Sequence, residues 1–136
     1  MKHKELTDKI IKAFFNVYNV LGYGFLEKVY EQAMYYELLE MGLNVDRQKK
    51  VTVYYKKYIA GEYNSDLTIE DIIICELKTS EIISEANESQ LINYLKATNI
   101  EVGLLLNFGK KPEIRRKVYN NEFKSWNSTS ITSLPL

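Results

Sequence analysis

The chain has 136 residues, enough for one domain, and its 46% hydrophobic content separates it from disordered sequences. Its formal net charge is zero, which excludes the general basic excess of many DNA binders and leaves any nucleic-acid contact to local groups. The single cysteine, Cys75, excludes an intrachain disulfide and reads as a buried, inert thiol in the apolar run 72–75.

A reducing, cytoplasmic setting is the default expectation. No secretory signal is visible, because Asp8, Lys9 and Lys12 interrupt the first apolar stretch. No apolar run approaches the ~20 residues that a membrane span needs.

Leu6, Ile10, Phe14, Val17, Tyr18 and Leu21 paint one face of a helix over residues 5–21. Gly22 and Gly24 break it. A second helix is predicted over 26–41, with Val29, Tyr30, Ala33, Met34 and Leu38 on one side and Gly42 as its stop. Val51, Val53 and Tyr55 alternate with Thr52 and Tyr54 as in a half-buried strand. Residues 59–61 look like a turn. Strands follow over 63–69 and 72–78, with Glu70 and Asp71 as the hairpin tip. The continuous apolar run 72–75 marks a central strand covered on both faces.

Ser84 is a helix cap with acidic Glu85 and Glu88 after it. Ala86, Gln90, Leu91, Tyr94, Leu95 and Ala97 continue at helical spacing. Residues 102–108 are a strongly apolar strand, and 114–119 fit either an edge strand or a short helix. A single domain over 1–125 and a flexible Ser/Thr-rich tail over 126–136 are expected. The order of helices and strands predicts an α/β fold, one sheet flanked by helices, with the strand–helix–strand unit at 72–108 forming a parallel pair.

Asp66, Glu76 and Lys78 are the residues that carry chemistry. Glu76 and Lys78 lie two apart on a strand and leave from one face. They follow the most apolar stretch of the chain, and charges are rarely buried unless paired or bound to metal. The plainest alternative is that the strand ends and both charges reach water. Asp66 on the preceding strand adds a second carboxylate, so the pair can hold a hard divalent cation. Such a cation activates water and polarises a phosphoryl oxygen, and a nearby lysine can stabilise the developing charge. A strict two-residue turn at Glu70-Asp71 pairs Asp66 with Cys75, on the wrong face for Glu76. A shared site therefore requires a longer loop, a bulge or a bend near Asp66.

Two basic groups stand out, Arg47, Lys49, Lys50, Lys56 and Lys57, and Lys110, Lys111, Arg115, Arg116 and Lys117. Each alone reads as a solvated face, and together they are candidates for phosphate contacts. Eleven tyrosines accompany a general bias toward Lys, Asn and Ile and carry little weight of their own.

The segment Gly24-Phe25-Leu26-Glu27-Lys28-Val29-Tyr30 reads as G-x-x-E-x-x-Y. The segment 61–67 with Asp66, then Glu76-Leu77-Lys78, the segment 90–98, and 103–109 follow in order. Together they resemble the GxxExxY protein family, a branch of the PD-(D/E)XK nuclease-like superfamily, across residues 6–120. The resemblance implies a restriction-endonuclease-like α/β core in which Asp66 and Glu76 bind magnesium, with manganese as a substitute, and Lys78 assists the attacking water. It also implies that Glu27 points into the site as a further ligand, and that Gln90 and Tyr94 form a Q-x-x-x-Y element near the scissile phosphate. Two positions depart from the pattern. Asn87 stands where relatives often carry histidine, the only histidine being His3, and Asn64 replaces an arginine before Asp66. Without the motifs, Glu27 reads as an exposed helix residue, Gln90 as a surface residue, and Tyr30 as a core aromatic with a wet hydroxyl.

Two functions are expected to compete. One is a metal-dependent nuclease acting on nucleic acid, DNA first. The other is a non-cleaving module of the same fold that binds nucleic acid or a protein partner. A homodimer completing a DNA groove is a third arrangement.

Overall fold

The structure, a computed structural model, describes residues 1–125. The flexible tail expected at 126–136 lies outside the described residues. The elements are α1 (Lys4–Leu21), α2 (Glu27–Glu40), β1 (Val45–Tyr55), β2 (Tyr58–Ile69), β3 (Ile73–Lys78), α3 (Glu85–Ala97), β4 (Val102–Phe108), β5 (Pro112–Val118) and a short 3-10 turn, Asn121–Phe123. The ambiguous segment 114–119 is thus an edge strand.

One five-stranded sheet runs in the order β1-β2-β3-β4-β5. Strands β3 and β4 are parallel and joined through α3, and the other neighbours are antiparallel. Both faces are covered, as the apolar run in β3 requires. Cys75 and Leu77 point with Leu104, Leu106 and Phe108 toward Phe14, Tyr30 and Met34 of α1 and α2. Ile74 and Leu105 point the other way, toward Leu91, Tyr94 and Leu95 of α3. Gly103 permits that second layer, because a Cβ there would stand 2.6 Å from Leu91 Cδ1. Burial pushes the Cys75 thiol far up, so it stays a neutral core group.

Tyr30 fixes the join between α1 and α2. Its ring stacks on Phe108 at 4.3 Å between centroids. Its hydroxyl donates to the Gly22 carbonyl at 2.7 Å and accepts the Phe25 N–H at 3.2 Å. Gly22 and Gly24 have φ of 65° and 108°, which side-chain-bearing residues rarely adopt. The core reading of Tyr30 therefore holds, with its hydroxyl satisfied by backbone rather than water.

Two strand boundaries differ from expectation. β1 begins already at Val45, because residues 45–47 and 49–50 pair with β2 even though Asp46, Arg47, Lys49 and Lys50 are exposed and give no apolar alternation. The turn expected at 59–61 is instead at Lys56 and Lys57, with Lys56 at φ 55°. The outer half of β2 pairs with β1 alone, so the two strands form an arm that extends beyond β3.

Candidate active site

The β2–β3 hairpin resolves the register problem with one extra residue. Glu70 and Asp71 take the paired positive φ values, 55° and 54°, of a tight hairpin turn. The Ile72 N–H closes that turn on the Ile69 carbonyl at 2.9 Å. The ladder then resumes at Ile69↔Ile73, followed by Thr68↔Ile74 and Leu67↔Cys75. Ile72 is therefore a bulge residue, and the next position brings Asp66 opposite Glu76 rather than opposite Cys75.

Strand β2 also bends at Asp66. The hydroxyls of Ser65 and Thr68 lie 3.0 Å apart, although residues three apart on a flat strand face opposite sides. Across from this bend, Gln48 of β1 has φ 53°. Past Leu67↔Cys75 the ladder is replaced by side chains. The Asp66 N–H donates to Glu76 Oε2 and the Leu77 N–H donates to Asp66 Oδ2, both at 2.8 Å.

Glu76 is only 3% exposed. Burial, then the Asp66 charge, pushes its carboxyl up to about 8, against the pull of the Asp66 N–H and Lys78. Asp66 is half-buried and its carboxyl is also raised. Burial dominates there, opposed by the Leu77 N–H, with the Glu31 charge adding to the rise. Glu27, at the exposed start of α2, is raised by partial desolvation and by Asp66, and lowered by Lys78. The half-buried Lys78 acts on all three carboxylates but closes no ion pair within 4.0 Å among the described residues. Asp66, Glu76 and Glu27 share one electrostatic neighbourhood. Among the described residues, however, no three His, Cys, Asp or Glu side chains are grouped so as to hold a metal ion as they stand.

From the opposite layer, α3 brings Tyr94. It is buried, and burial followed by the Glu76 charge raises its phenol. Gln90 Nε2 donates to the Tyr94 hydroxyl at 3.1 Å, as the one-turn spacing requires. Asn87, at the position of the missing histidine, instead completes a reciprocal cap with Ser84 at the start of α3.

Three supporting residues escape the sequence reading. Glu31 of α2 is buried and accepts from Gln48 Nε2 at 2.7 Å and from Arg47 Nη2 at 3.3 Å. Gln48 Nε2 also reaches Asp66 Oδ1 at 3.4 Å, so it bridges the two acids. Glu27 and Glu31 are one helical turn apart, and that spacing was the available signal. Asn107, opposite Lys78 in β4, exchanges two hydrogen bonds with the Ser80 backbone at 2.8 and 3.1 Å and fixes the chain leaving β3.

The two basic groups are largely engaged within the chain. Lys49 meets Asp46 and Asp71, Lys50 meets Glu62, Lys117 meets Glu88, and Arg115 meets Glu113. Lys56 and Lys57 at the arm's turn lie over Tyr55 and Tyr58. Among the described residues no helix is long and apolar enough to cross a membrane.

No curated protein and no solved structure matches the chain significantly. The family profile described as PD-(D/E)XK nuclease superfamily matches residues 4–117, most of the chain. The mixed five-stranded sheet between helices, with Asp66 and Glu76 on adjoining strands and Lys78 two residues on, agrees with that match, and the chain belongs to the PD-(D/E)XK nuclease superfamily.

Proposed function

We propose that the chain is a metal-dependent nuclease that hydrolyses phosphodiester bonds of nucleic acid, DNA in the first place, with magnesium or manganese. The observation that carries this reading is the carboxylate pair, buried Glu76 and half-buried Asp66, exchanged across two strands beside Lys78. Superfamily membership supports it at the level of nuclease-like chemistry, and the motif Gly24-x-x-Glu27-x-x-Tyr30 supports the closer likeness to GxxExxY proteins.

The residues present fit a divalent cation. Each of the two carboxylates spends one oxygen on a backbone N–H, and the second, on Asp66 met only by the long Gln48 contact at 3.4 Å, is a hard oxygen that could face a metal. Both carboxyls are raised mainly by burial, a cost that a cation would offset. Asp66 and Glu76 would hold it, with Glu27 reaching in from the rim. When bound, the cation supplies Lewis acidity toward a phosphoryl oxygen and favours ionised water near neutral pH. The work of the chain itself is orientation and charge. Lys78 supplies the positive charge that offsets charge building on the phosphate. Gln90 and Tyr94 offer donors toward the substrate from the opposite layer. Glu31 and Gln48 hold the Asp66 carboxylate in place.

A second reading is a nuclease fold that binds nucleic acid or a protein partner without cutting. The internal ion pairing of Arg47, Lys49, Lys50, Arg115 and Lys117, half of the two basic groups, favours it, since it leaves fewer cations for a phosphate track. A cleavage screen separates the two. Single-stranded, double-stranded and branched DNA and RNA are offered with magnesium or manganese, beside Glu76→Gln. Cleavage that disappears in EDTA and in the variant supports the nuclease. A wild-type chain that binds a substrate and cuts none supports the binding module.

A further inference from the structure

A groove of about 920 Å³ lies between α3 and the arm of β1 and β2. Tyr54 and Tyr63 of the arm, Gln90 and Tyr94 of α3, and the lysines Lys56 and Lys96 are among its lining residues. The rings of Tyr63 and Tyr94 stand 6.0 Å apart at 41°. The Tyr63 ring rests against Gly61, where a Cβ would come within 2.9 Å of it. Tyr94 lines this groove and belongs to the same packed layer as Ile74, which leaves β3 on the same face as Glu76 two residues on, so the groove borders the candidate active site. The arm leaves Tyr54, Tyr55, Tyr58 and Tyr63 each half exposed or more. A run of exposed aromatics with lysines among them is an unusual surface for water to cover.

Resting on the nuclease reading above, we infer that this groove is a track for a single nucleic-acid strand leading to Asp66 and Glu76. Unpaired bases expose π faces that stack on tyrosine whatever the sequence, while lysines meet the backbone. Bases in a duplex are already stacked on one another and cannot reach the groove walls. A lining that pairs tyrosine rings with amide and ammonium donors suits an unpaired strand.

The test uses the full chain carrying Glu76→Gln, so that nothing is cut, and two fluorescent probes of equal length, an oligothymidylate and a blunt duplex. The strand is expected to bind at least tenfold more tightly than the duplex. Tyr54→Ala with Tyr63→Ala should weaken strand binding at least tenfold, and the matching phenylalanine pair, which keeps the rings, should restore it. Tyr54→Ala alone, at an exposed position, serves if the double variant folds poorly by circular dichroism. Equal affinity for both probes, or alanine variants that bind the strand as the parent does, overturns the track. Cleavage is scored separately on the chain with Glu76 intact. Strand binding through the tyrosines without cleavage keeps the track and ends the nuclease reading. Cleavage that is as fast in Tyr54→Ala/Tyr63→Ala as in the parent keeps the nuclease and ends the track.

Discussion

Asp66 and Glu76 are locked to each other's strands: the N–H of Asp66 donates to the Glu76 carboxylate, and the carboxylate of Asp66 accepts the N–H of Leu77, both at 2.8 Å. Two side chains thus stand in for the rungs that a regular ladder would place there. The exchange sets both carboxylates rigidly where β2 and β3 part, which a metal site or a phosphate site needs. Burying the pair carries a cost, visible in the raised carboxyls on both strands, which the two hydrogen bonds only partly offset.

That cost makes stability depend on pH. Glu76 ordinarily titrates near 4.5 and in the fold near about 8. Between those values the folded chain keeps a proton that the unfolded chain has lost, so stability falls as pH rises through this window. Asp66 and Glu27 are raised too and act in the same direction. Lys124 is lowered by burial from 10.5 to about 8, which adds stability only above that pH. In EDTA, urea midpoints should therefore drop from pH 5 to pH 8, and Glu76→Gln should flatten most of the slope. Magnesium should also flatten it, by binding the ionised pair. A slope unchanged in the variant would show that Glu76 is not the group responsible.

Tyr30→Phe tests the join between the first two helices. The substitution keeps the stacking on Phe108 but leaves the Gly22 carbonyl and the Phe25 N–H without their partner. Both hydrogen bonds are only part-buried, so water can reach the freed groups and the loss is the net worth of a hydrogen bond, about 0.5–1.5 kcal/mol. The variant should lose stability in that range by chemical denaturation. Because Glu27 begins α2 only two residues after Phe25, metal affinity should weaken modestly as well.

The helices, the succession of elements along the chain and the parallel pair were legible because apolar residues recur at helical or strand spacing in them. Asp66, Glu76 and Lys78 stood out as candidates because two charges end the most apolar strand and a second carboxylate lies on the strand before it. The register between Asp66 and Glu76 was not, since Ile72 looks like every other residue in 72–75 and nothing marks it as the bulge. Glu31 was missed because spacing cannot tell a buried glutamate from an exposed one. Gln48 was hidden in a polar stretch whose strand character comes from pairing with β2 rather than from its own pattern, and Arg47 was read there only as part of a basic group. The separation of the basic groups into paired and open lysines depends on cross-strand and helix packing that only the fold supplies.

Those pairings decide which charges can serve a phosphate backbone. Lys49, Lys50 and Lys117 are committed to Asp46, Asp71, Glu62 and Glu88. Exposed Lys110 and Lys111 have no ion pair among the described residues. Removing both should lower nucleic-acid affinity and reduce the slope of log affinity against log salt by about 1 for each phosphate left without its lysine. Neutralising Lys50 should change the slope little. Binding that is indifferent to salt throughout would point to a protein partner instead.

The central prediction separates the two charges at the end of β3. Glu76→Gln keeps the side chain's size and a carbonyl oxygen that can still accept the Asp66 N–H, but it removes the anion. Metal affinity, read by calorimetry with manganese, should fall sharply, and cleavage with it. Lys78→Ala leaves both carboxylates in place, so metal affinity should be retained or rise slightly as a neighbouring cation disappears. Its turnover should drop on the order of 10²–10³, the usual cost of one charge-stabilising donor. Glu27→Ala should give a milder version of the Glu76→Gln defect, because Glu27 sits at the exposed rim. Raising the metal concentration should therefore rescue Glu27→Ala most, Glu76→Gln partly and Lys78→Ala not at all. Cleavage persisting in EDTA, or in both Glu76→Gln and Lys78→Ala, would falsify the nuclease assignment.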